Sequence, residues 1–220
     1  MANDTTNRLR IEGEGANQVQ QLMEQPFDDG EIYFDFNKVV LGPPSLFETW
    51  SGDLGRLRIS DIGLALLGSE SDFAKLQNDG VLCRHLGENF SLPQLRAYAE
   101  KVYPDAIEQG RLTLRNREET GFDNWREWAF ACWGNSGGAD EYQCLNVSSD
   151  LYECYFETPW SPSLPVIAAL SCRFPDLRFR YYYMDEGGAF EKAVCYHAGQ
   201  ETDDSEWFNF CHAIYGDEDE

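Results

Sequence analysis

Lysine is scarce in this chain of 220 residues, and the sequence is strongly acidic. Its 17 lysines and arginines stand against 39 aspartates and glutamates, which gives a formal net charge of −22. Proteins that bind nucleic acid need basic side chains to displace the counterions condensed on the phosphates. The composition therefore argues against direct binding of DNA or RNA. It is typical either of a highly soluble protein or of one with a basic partner.

Long apolar runs are also missing. No window approaches the roughly 18 consecutive apolar residues of a membrane-spanning helix, and the N-terminal MANDTTNRLR lacks the apolar centre of a secretory signal. The seven cysteines show no CxxC spacing, which is typical of reduced thiols and not of a disulfide framework. We therefore expect a soluble protein of the cytoplasm, without membrane contact.

Catalytic signatures are absent as well. The sequence has no GxSxG elbow, no Walker lysine after a glycine-rich loop and no HExxH, and residues 13–15 (Gly-Glu-Gly) predict a turn. Cys83 and His85 suggest a thiol nucleophile with a base, but no third group is positioned by the sequence. The sequence favours a non-enzymatic protein and predicts no cofactor.

Two cysteine and histidine pairs were weighed as metal ligands. Cys195 lies near His197, and Cys211 precedes His212. Neighbouring residues on a regular element point in different directions, so Cys211 and His212 cannot both hold one ion without an irregular backbone. We predict no metal site.

Hydrophobic periodicity predicts an α+β fold. Leu9 and Ile11 alternate with Arg8 and Arg10, as in a half-buried strand. The predicted elements are a strand at 8–11, a helix at 16–25, a strand at 32–41, helices at 59–67, 71–76, 92–103 and 122–133, strands at 142–147 and 151–158, a helix at 163–174, and strands at 177–184 and 193–197. This order predicts a ferredoxin-like split βαβ sandwich with a helical insertion.

The expected domain organisation follows from that order. Residues 1–45 form the first part of the ferredoxin-like domain, 46–117 the helical insertion, 118–200 the second part, and 201–220 an acidic amphipathic segment. On the helix at 122–133, which Asp123 is expected to cap, the tryptophans are predicted to face the sheet. They are Trp125, Trp128 and Trp133, with Phe156, Ile167 and Phe179 across from them.

Four short motifs carry a family resemblance. They are Asn124-Trp125, Cys132-Trp133-Gly134, the ETPWSP of residues 157–162 and the DEGGAF of residues 185–190. Together they resemble the ferredoxin-like domain of YubB-type proteins from plasmids and bacteriophages. The resemblance implies a ferredoxin-like fold and a mobile-element origin, and it implies no established reaction.

Two aromatic motifs have alternative interpretations. Trp160, held between two prolines, suits either a rigid recognition element or a connector that packs on the core, and we favour the connector. Tyr181, Tyr182 and Tyr183 are similar to the base-stacking platform of ferredoxin-like RNA binders. The acidic composition argues against that use, and alternation along a strand predicts core packing on at least one side.

The C-terminal segment combines acids with an apolar stripe. The spacing of Trp207, Phe210, Cys211 and Ile214 predicts an amphipathic helix, which docks either on the chain's own sheet or on a basic partner. The residues expected to contact a partner are acids and tryptophans of the tail and of two turns. They are Asp203, Asp204, Glu206, Trp207, Asp217, Glu218, Asp219, Trp160, Asp185 and Glu186.

These observations lead to one hypothesis and two alternatives. The hypothesis is an acidic phage or plasmid protein that binds a basic host protein or nucleoprotein defence complex, of the CRISPR or restriction type, and occludes its nucleic-acid site. One alternative is an enzyme or small-anion-binding protein that uses a cleft beside the insertion, with Arg84, Arg111, Arg115 or Arg117 as anchors. The other is an accessory module whose acidity serves solubility. The sequence leaves the target and the oligomeric state open.

Overall fold

The computed structural model describes residues 3–26, 30–48 and 59–215. The chain forms two compact units, a sheet unit (Met1–Leu41 with Ala129–Glu220) and a helical unit (Gly42–Trp128). Within the described ranges, no helix combines the length and the apolar character that crossing a bilayer would require.

The helices and strands follow one another in this order. The strands are β1 (Asp4–Glu12), β2 (Glu24–Pro26), β3 (Ile32–Phe34), β4 (Asp140–Val147), β5 (Leu151–Pro159), β6 (Arg178–Asp185), β7 (Glu191–His197) and β8 (Gln200–Asp203). The helices are α1 (Ala16–Met23), α2 (Pro44–Phe47), α3 (Ile59–Leu67), α4 (Glu70–Leu76), α5 (Gly80–Leu86), α6 (Leu92–Val102), α7 (Ala106–Thr120), α8 (Trp125–Cys132), α9 (Leu164–Arg173) and α10 (Ser205–Tyr215).

The sheet unit contains a six-stranded antiparallel sheet in the order β4-β5-β1-β6-β7-β8. Because β1 lies between β5 and β6, the segments β1-α1-β4 and β5-α9-β6 each connect parallel strands that are separated by an antiparallel one. This is the split βαβ arrangement of the ferredoxin type, so the predicted α+β class and fold are confirmed. β7 and β8 extend the sheet on the β6 side.

One predicted strand is much shorter than expected. β3 ends at Phe34, whereas the sequence predicted a strand over 32–41. The side chain of Asp35 accepts a hydrogen bond of 3.0 Å from the Asn37 amide and starts a turn of 3₁₀ helix. Local side-chain to backbone bonding of this kind competes with strand pairing.

The two faces of β1 have different surroundings. Leu9 lies opposite Tyr181 of β6, and both are fully buried on the face that meets α9. The backbone amide of Ser163, the N-cap of α9, donates a 3.0 Å hydrogen bond to the Tyr181 hydroxyl. Arg8 and Arg10 point to the opposite face, as the alternation in the sequence predicts.

Trp125, one of the tryptophans predicted on the helix at 122–133, lies in the helical unit, where its ring stacks on Phe47 at 6.1 Å. Trp133 lies one residue beyond α8, and its indole donates a 2.9 Å hydrogen bond to the carbonyl of Val40. Asn124 caps the helix through a 3.1 Å bond from the Glu127 amide, because the predicted cap, Asp123, is paired with Arg117.

The helical unit has its own core and a close helix contact. Leu82 and Leu95 are fully buried in its apolar cluster. α3 and α7 meet at Gly63 and Gly110, and a Cβ atom at Gly63 would lie 1.8 Å from the carbonyl oxygen of Ala106. The predicted insertion boundary at 117 falls inside α7, which runs to Thr120.

Arg117 is held by two carboxylates of the helical unit. Its guanidinium lies 3.2 Å from Asp72 and 2.6 Å from Asp123. Burial alone would raise the pKa of Asp72, but hydrogen bonds from Arg117 and Ser69 outweigh it and hold this pKa well below the usual range. An arginine so engaged is a poor anchor for an external anion.

Candidate functional site

The negative charge is concentrated in the sheet unit. That unit carries 25 aspartates and glutamates and only seven lysines and arginines, whereas the helical unit carries 14 acids and ten bases. The formal charges are therefore −18 and −4. An electrostatic function would be expected to lie in the sheet unit.

Three arginines of the sheet unit lie beneath the C-terminal helix. The guanidinium carbons of Arg8, Arg10 and Arg180 lie 5.5, 5.8 and 5.2 Å from the centre of the Trp207 ring. Arg8 also donates a 2.7 Å hydrogen bond to Glu153. Arg8 and Arg10 pair with Glu153, and Arg180 pairs with Asp204, so each of the three positive charges has a carboxylate partner within the unit.

α10 packs on its own sheet, which decides between the two docking partners weighed for the C-terminal segment. Trp207 is 2 % exposed and Cys211 is fully buried, and both pack against Tyr182 of β6. Burial raises the pKa of the Cys211 thiol to about 12. Trp207 was expected to contact a partner, and in the structure its ring is covered by the sheet.

Asp204 is likewise an internal residue. It accepts bonds of 2.8 and 3.0 Å from Arg180 and a 3.0 Å bond from the Trp207 amide at the start of α10. Burial alone would raise its pKa, but these hydrogen bonds outweigh it and lower the pKa. Asp204 is 5 % exposed and holds α10, and its expected contact with a partner stays a prediction.

An open cleft of about 940 Å³ lies beside the edge strand β4. We call it the acidic cleft, because six carboxylates line it and no lysine or arginine is among its described lining residues. The acids are Asp4, Glu24, Glu31, Asp140, Glu141 and Glu157. They come from β1, β2, β4 and β5 and from the residue before β3. They converge because Asp140 pairs with Glu157 and Asp4 pairs with Pro159 across the sheet.

Two of the cleft carboxylates have raised pKa values. Burial and the neighbouring charges of Glu157 and Glu186 raise the pKa of Asp4. Burial and the charge of Asp4 raise the pKa of Asp140. Such shifts mean that the charged forms lack sufficient compensation inside the chain, and a cation in the cleft would supply it.

The cleft wall contains tyrosine and cysteine side chains. Burial raises the pKa of Tyr142, whose hydroxyl donates to Glu24 and lies 2.9 Å from the hydroxyl of Tyr152. Burial and the charge of Glu24 raise the pKa of the Cys144 thiol. A thiol in such surroundings is a weak nucleophile, so the cleft favours binding of a cation over covalent chemistry.

Two of the predicted contact residues lie beside this cleft. Trp160 is 42 % exposed with φ 71°, and its amide donates a 2.9 Å hydrogen bond to the carbonyl of Asn3. Trp160 lies in the connection between β5 and α9 as the favoured interpretation predicted, but its expected packing on the core is wrong. Glu186 is exposed and accepts a 3.3 Å bond from the Asp4 amide. The backbone of Trp160 and the side chain of Glu186 thus lie at the start of β1, near Asp4.

The other predicted contact residues lie elsewhere. Asp185 is buried and accepts hydrogen bonds from the Asn3 side chain and from the Ala189 amide, so it shapes the turn after β6. Asp203 and Glu206 are exposed, and they pair with Lys192 at 3.3 Å and Arg180 at 3.1 Å. The remaining three, Asp217, Glu218 and Asp219, lie outside the described residues.

The tyrosine run and the cysteine and histidine pairs have internal partners. Tyr181 and Tyr182 are fully buried on opposite faces of β6, so core packing accounts for both. Arg178 approaches the Cys195 sulfur at 3.3 Å, and His212 lies 2.7 Å from Glu191. In the part of the chain that the structure describes, no three potential metal ligands converge.

The cleft acids were not among the residues predicted from the sequence. Asp4, Glu31, Asp140, Glu141 and Glu157 are scattered along the chain, and none belongs to a dense acidic run comparable to the tail. One signal was present: Asp140 and Glu141 directly precede the strand predicted at 142–147, and Glu157 lies near the end of the strand predicted at 151–158. The register of the strands brings these three acids to Asp4, and hydrophobic periodicity in the sequence does not predict strand register.

An antiparallel split βαβ sheet with an acidic cleft at one edge defines the sheet unit as an acidic ferredoxin-like domain. Residues 139–219, from β4 to α10, match the family model described as the ferredoxin-like domain in Api92-like protein. A crystal structure of a protein api92 from Yersinia pseudotuberculosis is 13% identical, with a TM-score of 0.46 over 92% of this chain and 97% of that one. No curated protein matches the chain significantly.

The family found by comparison is thus the Api92-like one for residues 139–219, whereas the motifs predicted a YubB-like one. The ferredoxin-like fold is common to both descriptions. A plasmid or phage origin stays a prediction.

Proposed function

We propose that the chain is a non-enzymatic inhibitor that binds a basic nucleic-acid site of a host defence complex, of the CRISPR or restriction type, in the bacterial cytoplasm. The YubB-like resemblance would give it a mobile-element origin. The acidic cleft carries the proposal: six carboxylates line it with no described lysine or arginine among them. Its own acids would stand where the phosphates of DNA or RNA normally bind.

The electrostatics of the cleft support this mechanism. The pKa values of Asp4 and Asp140 are raised by burial and by nearby carboxylates, so each would gain from a positive charge brought by a partner. Charge complementarity accelerates association and fixes orientation more than it adds raw affinity. The complex should therefore form quickly and weaken as salt shortens the Debye length from ~10 Å at 0.1 M to ~3 Å at 1 M.

Four acids of the helical unit allow a control variant that loses as many charges as a variant of the acidic cleft. A cleft variant combines Asp4→Asn, Asp140→Asn, Glu141→Gln and Glu157→Gln. A distal variant combines Glu88→Gln, Glu100→Gln, Glu118→Gln and Glu119→Gln, four exposed acids of the helical unit. Both variants lose four negative charges, so a difference between them reports on the location of charge and not on its total.

The test is affinity purification from nuclease-treated bacterial lysate, with the wild-type chain and both variants as baits at 0.1 and 0.5 M salt. The nuclease removes contacts bridged by nucleic acid. We expect the wild type and the distal variant to capture DNA- or RNA-handling proteins at low salt, and the cleft variant to lose them. Capture that is equal for all three baits, or unchanged by salt, would overturn the proposal.

A further inference from the structure

A second depression, of about 590 Å³, lies on the sheet face next to the acidic cleft, and we call it the tyrosine groove. Tyr155 of β5 and Tyr215 of α10 line it, with ring centres 6.3 Å apart and planes inclined by 30°. Glu141 and Glu157 line both the groove and the acidic cleft, so the two depressions share a carboxylate rim.

The sheet unit already shows how it holds an arginine. The Arg8 guanidinium carbon lies 5.2 Å from the ring centre of Phe210 and 5.6 Å from that of Tyr215, while Glu153 accepts its hydrogen bond. Arg180 repeats this combination with Trp207 and Asp204. Aromatic rings together with a carboxylate form the preferred surroundings of a planar guanidinium.

The tyrosine groove also combines an aromatic ring with a carboxylate. Tyr155 presents a ring, its hydroxyl donates a 2.5 Å hydrogen bond to Glu157, and Met184 and Leu145 add apolar surface. The described lining includes no lysine or arginine. Cross-strand pairing puts Tyr155 directly opposite Arg8, so the groove adjoins the internal arginine site.

We propose that the tyrosine groove receives an arginine side chain of a basic partner segment, stacked on Tyr155 and Tyr215 and paired with Glu157. This inference rests on the proposed function and names the side chain that anchors the partner. Arginine suits the groove better than lysine because its flat guanidinium stacks on a ring and bonds a carboxylate through two N–H groups.

The test uses three fluorescein-labelled peptides in which glycine and serine separate three arginines, three lysines or three citrullines. The first two carry equal charge, so attraction to the acidic cleft is matched. We expect the arginine peptide to bind about three- to tenfold more tightly than the lysine peptide in anisotropy titrations, and the uncharged peptide to bind least. Equal affinity for arginine and lysine peptides would overturn the assignment but leave the proposed function standing.

Two variants test whether Tyr155 is responsible for the preference for the arginine peptide. Tyr155→Leu keeps an apolar side chain and removes the aromatic ring with its hydroxyl, so the preference for arginine should disappear while the affinity for the lysine peptide is kept. Tyr98→Leu, a partly buried tyrosine of the helical unit, is the control and should keep the preference. A preference that survives Tyr155→Leu would overturn the assignment.

A measurement on the wild type avoids any effect of substitution on folding. The chain has three methionines; Met184 lines the groove, and Met23 is fully buried in α1. With ¹³C-methyl-methionine NMR, we expect the Met184 signal to shift during titration with the arginine peptide and the Met23 signal to stay. A bound peptide that leaves Met184 unshifted would place the arginine elsewhere.

Discussion

The guanidinium carbon of Arg180 lies 5.2 Å from the centre of the Trp207 indole ring. This contact joins the central region of the sheet to the C-terminal helix, whose acids the sequence analysis assigned to a partner. Since Asp204 bonds the same arginine, helix and sheet form one structural unit. Among the described residues, the acidic cleft at the β4 edge of the sheet and the groove beside it are where we propose that a basic partner binds.

Trp207→Ala should destabilise the sheet unit. The change removes a buried ring that contacts Arg8, Arg10 and Arg180, and truncation of a buried tryptophan costs about 3–5 kcal/mol of the free energy of unfolding. Ile214→Ala, at a position 46 % exposed on the same helix, is the control and should cost less than about 1 kcal/mol. Denaturant unfolding measures both. Similar midpoints for the two variants would contradict the docking of α10.

Asp204 should contribute to the acid sensitivity of the fold. Its pKa in the folded chain lies below the ordinary 3.8, so its stabilisation is complete above that value and is lost as the pH falls through the folded pKa. We expect Asp204→Asn to be less stable than the wild type at pH 6 and to lose less stability between pH 6 and pH 3. Asp203→Asn, whose side chain is 84% exposed, is the control and should follow the wild type. Urea unfolding at both pH values tests this, and identical pH dependence in all three chains would contradict it.

Asp140 should change stability with pH in the direction opposite to that of Asp204. Its pKa is raised in the folded chain, so the stability linked to it is present below the unfolded value and is lost as the pH rises through the folded pKa. Asp140→Asn should therefore raise the melting temperature at pH 7 and give little gain at pH 3.5. Asp150→Asn, an exposed acid of the β4–β5 turn, should change neither. A gain of equal size at both pH values would show that charge repulsion in the cleft is not its cause.

Gly63→Ala should disrupt the helical unit. The added Cβ would lie 1.8 Å from the Ala106 carbonyl oxygen, so α3 and α7 must separate. Overpacking of this kind costs about 1–3 kcal/mol, occasionally more. Gly80→Ala is the matched control, because nothing lies within 4 Å of a Cβ there. Circular dichroism during heating should show an earlier transition for Gly63→Ala only, and an unchanged transition would contradict the close helix contact.

The sequence predicted the regular parts of the fold because their apolar residues are periodic. The helix over 59–67 is observed with the same limits, and Leu9 and Ile11 are buried as their alternation required. α7 was missed because its sequence, AIEQGRLTLRNREET, has only a weak apolar face. β8 was missed because Gln200–Asp203 is entirely polar, and this strand forms by pairing with the edge of β7.

The candidate site was harder to predict than the fold. Composition indicated an acidic surface, but the densest acidic run, at the C-terminus, drew the prediction to the tail. There Asp204 and Trp207 are used internally, since α10 needs a cap and a buried anchor. The cleft depends on the pairing of Asp140 with Glu157 and on the place of β1 in the sheet, and both are long-range features.

The most direct test of the central claim is competition with nucleic acid on a defence complex. A purified CRISPR effector or restriction enzyme recovered with the wild-type bait is titrated with labelled target DNA in the presence of wild type, cleft variant or distal variant. We predict that the wild type and the distal variant displace the DNA competitively, and that the cleft variant needs at least about tenfold higher concentration, since tenfold corresponds to ~1.4 kcal/mol. Equal displacement by the cleft and distal variants, or none by the wild type, would contradict the account.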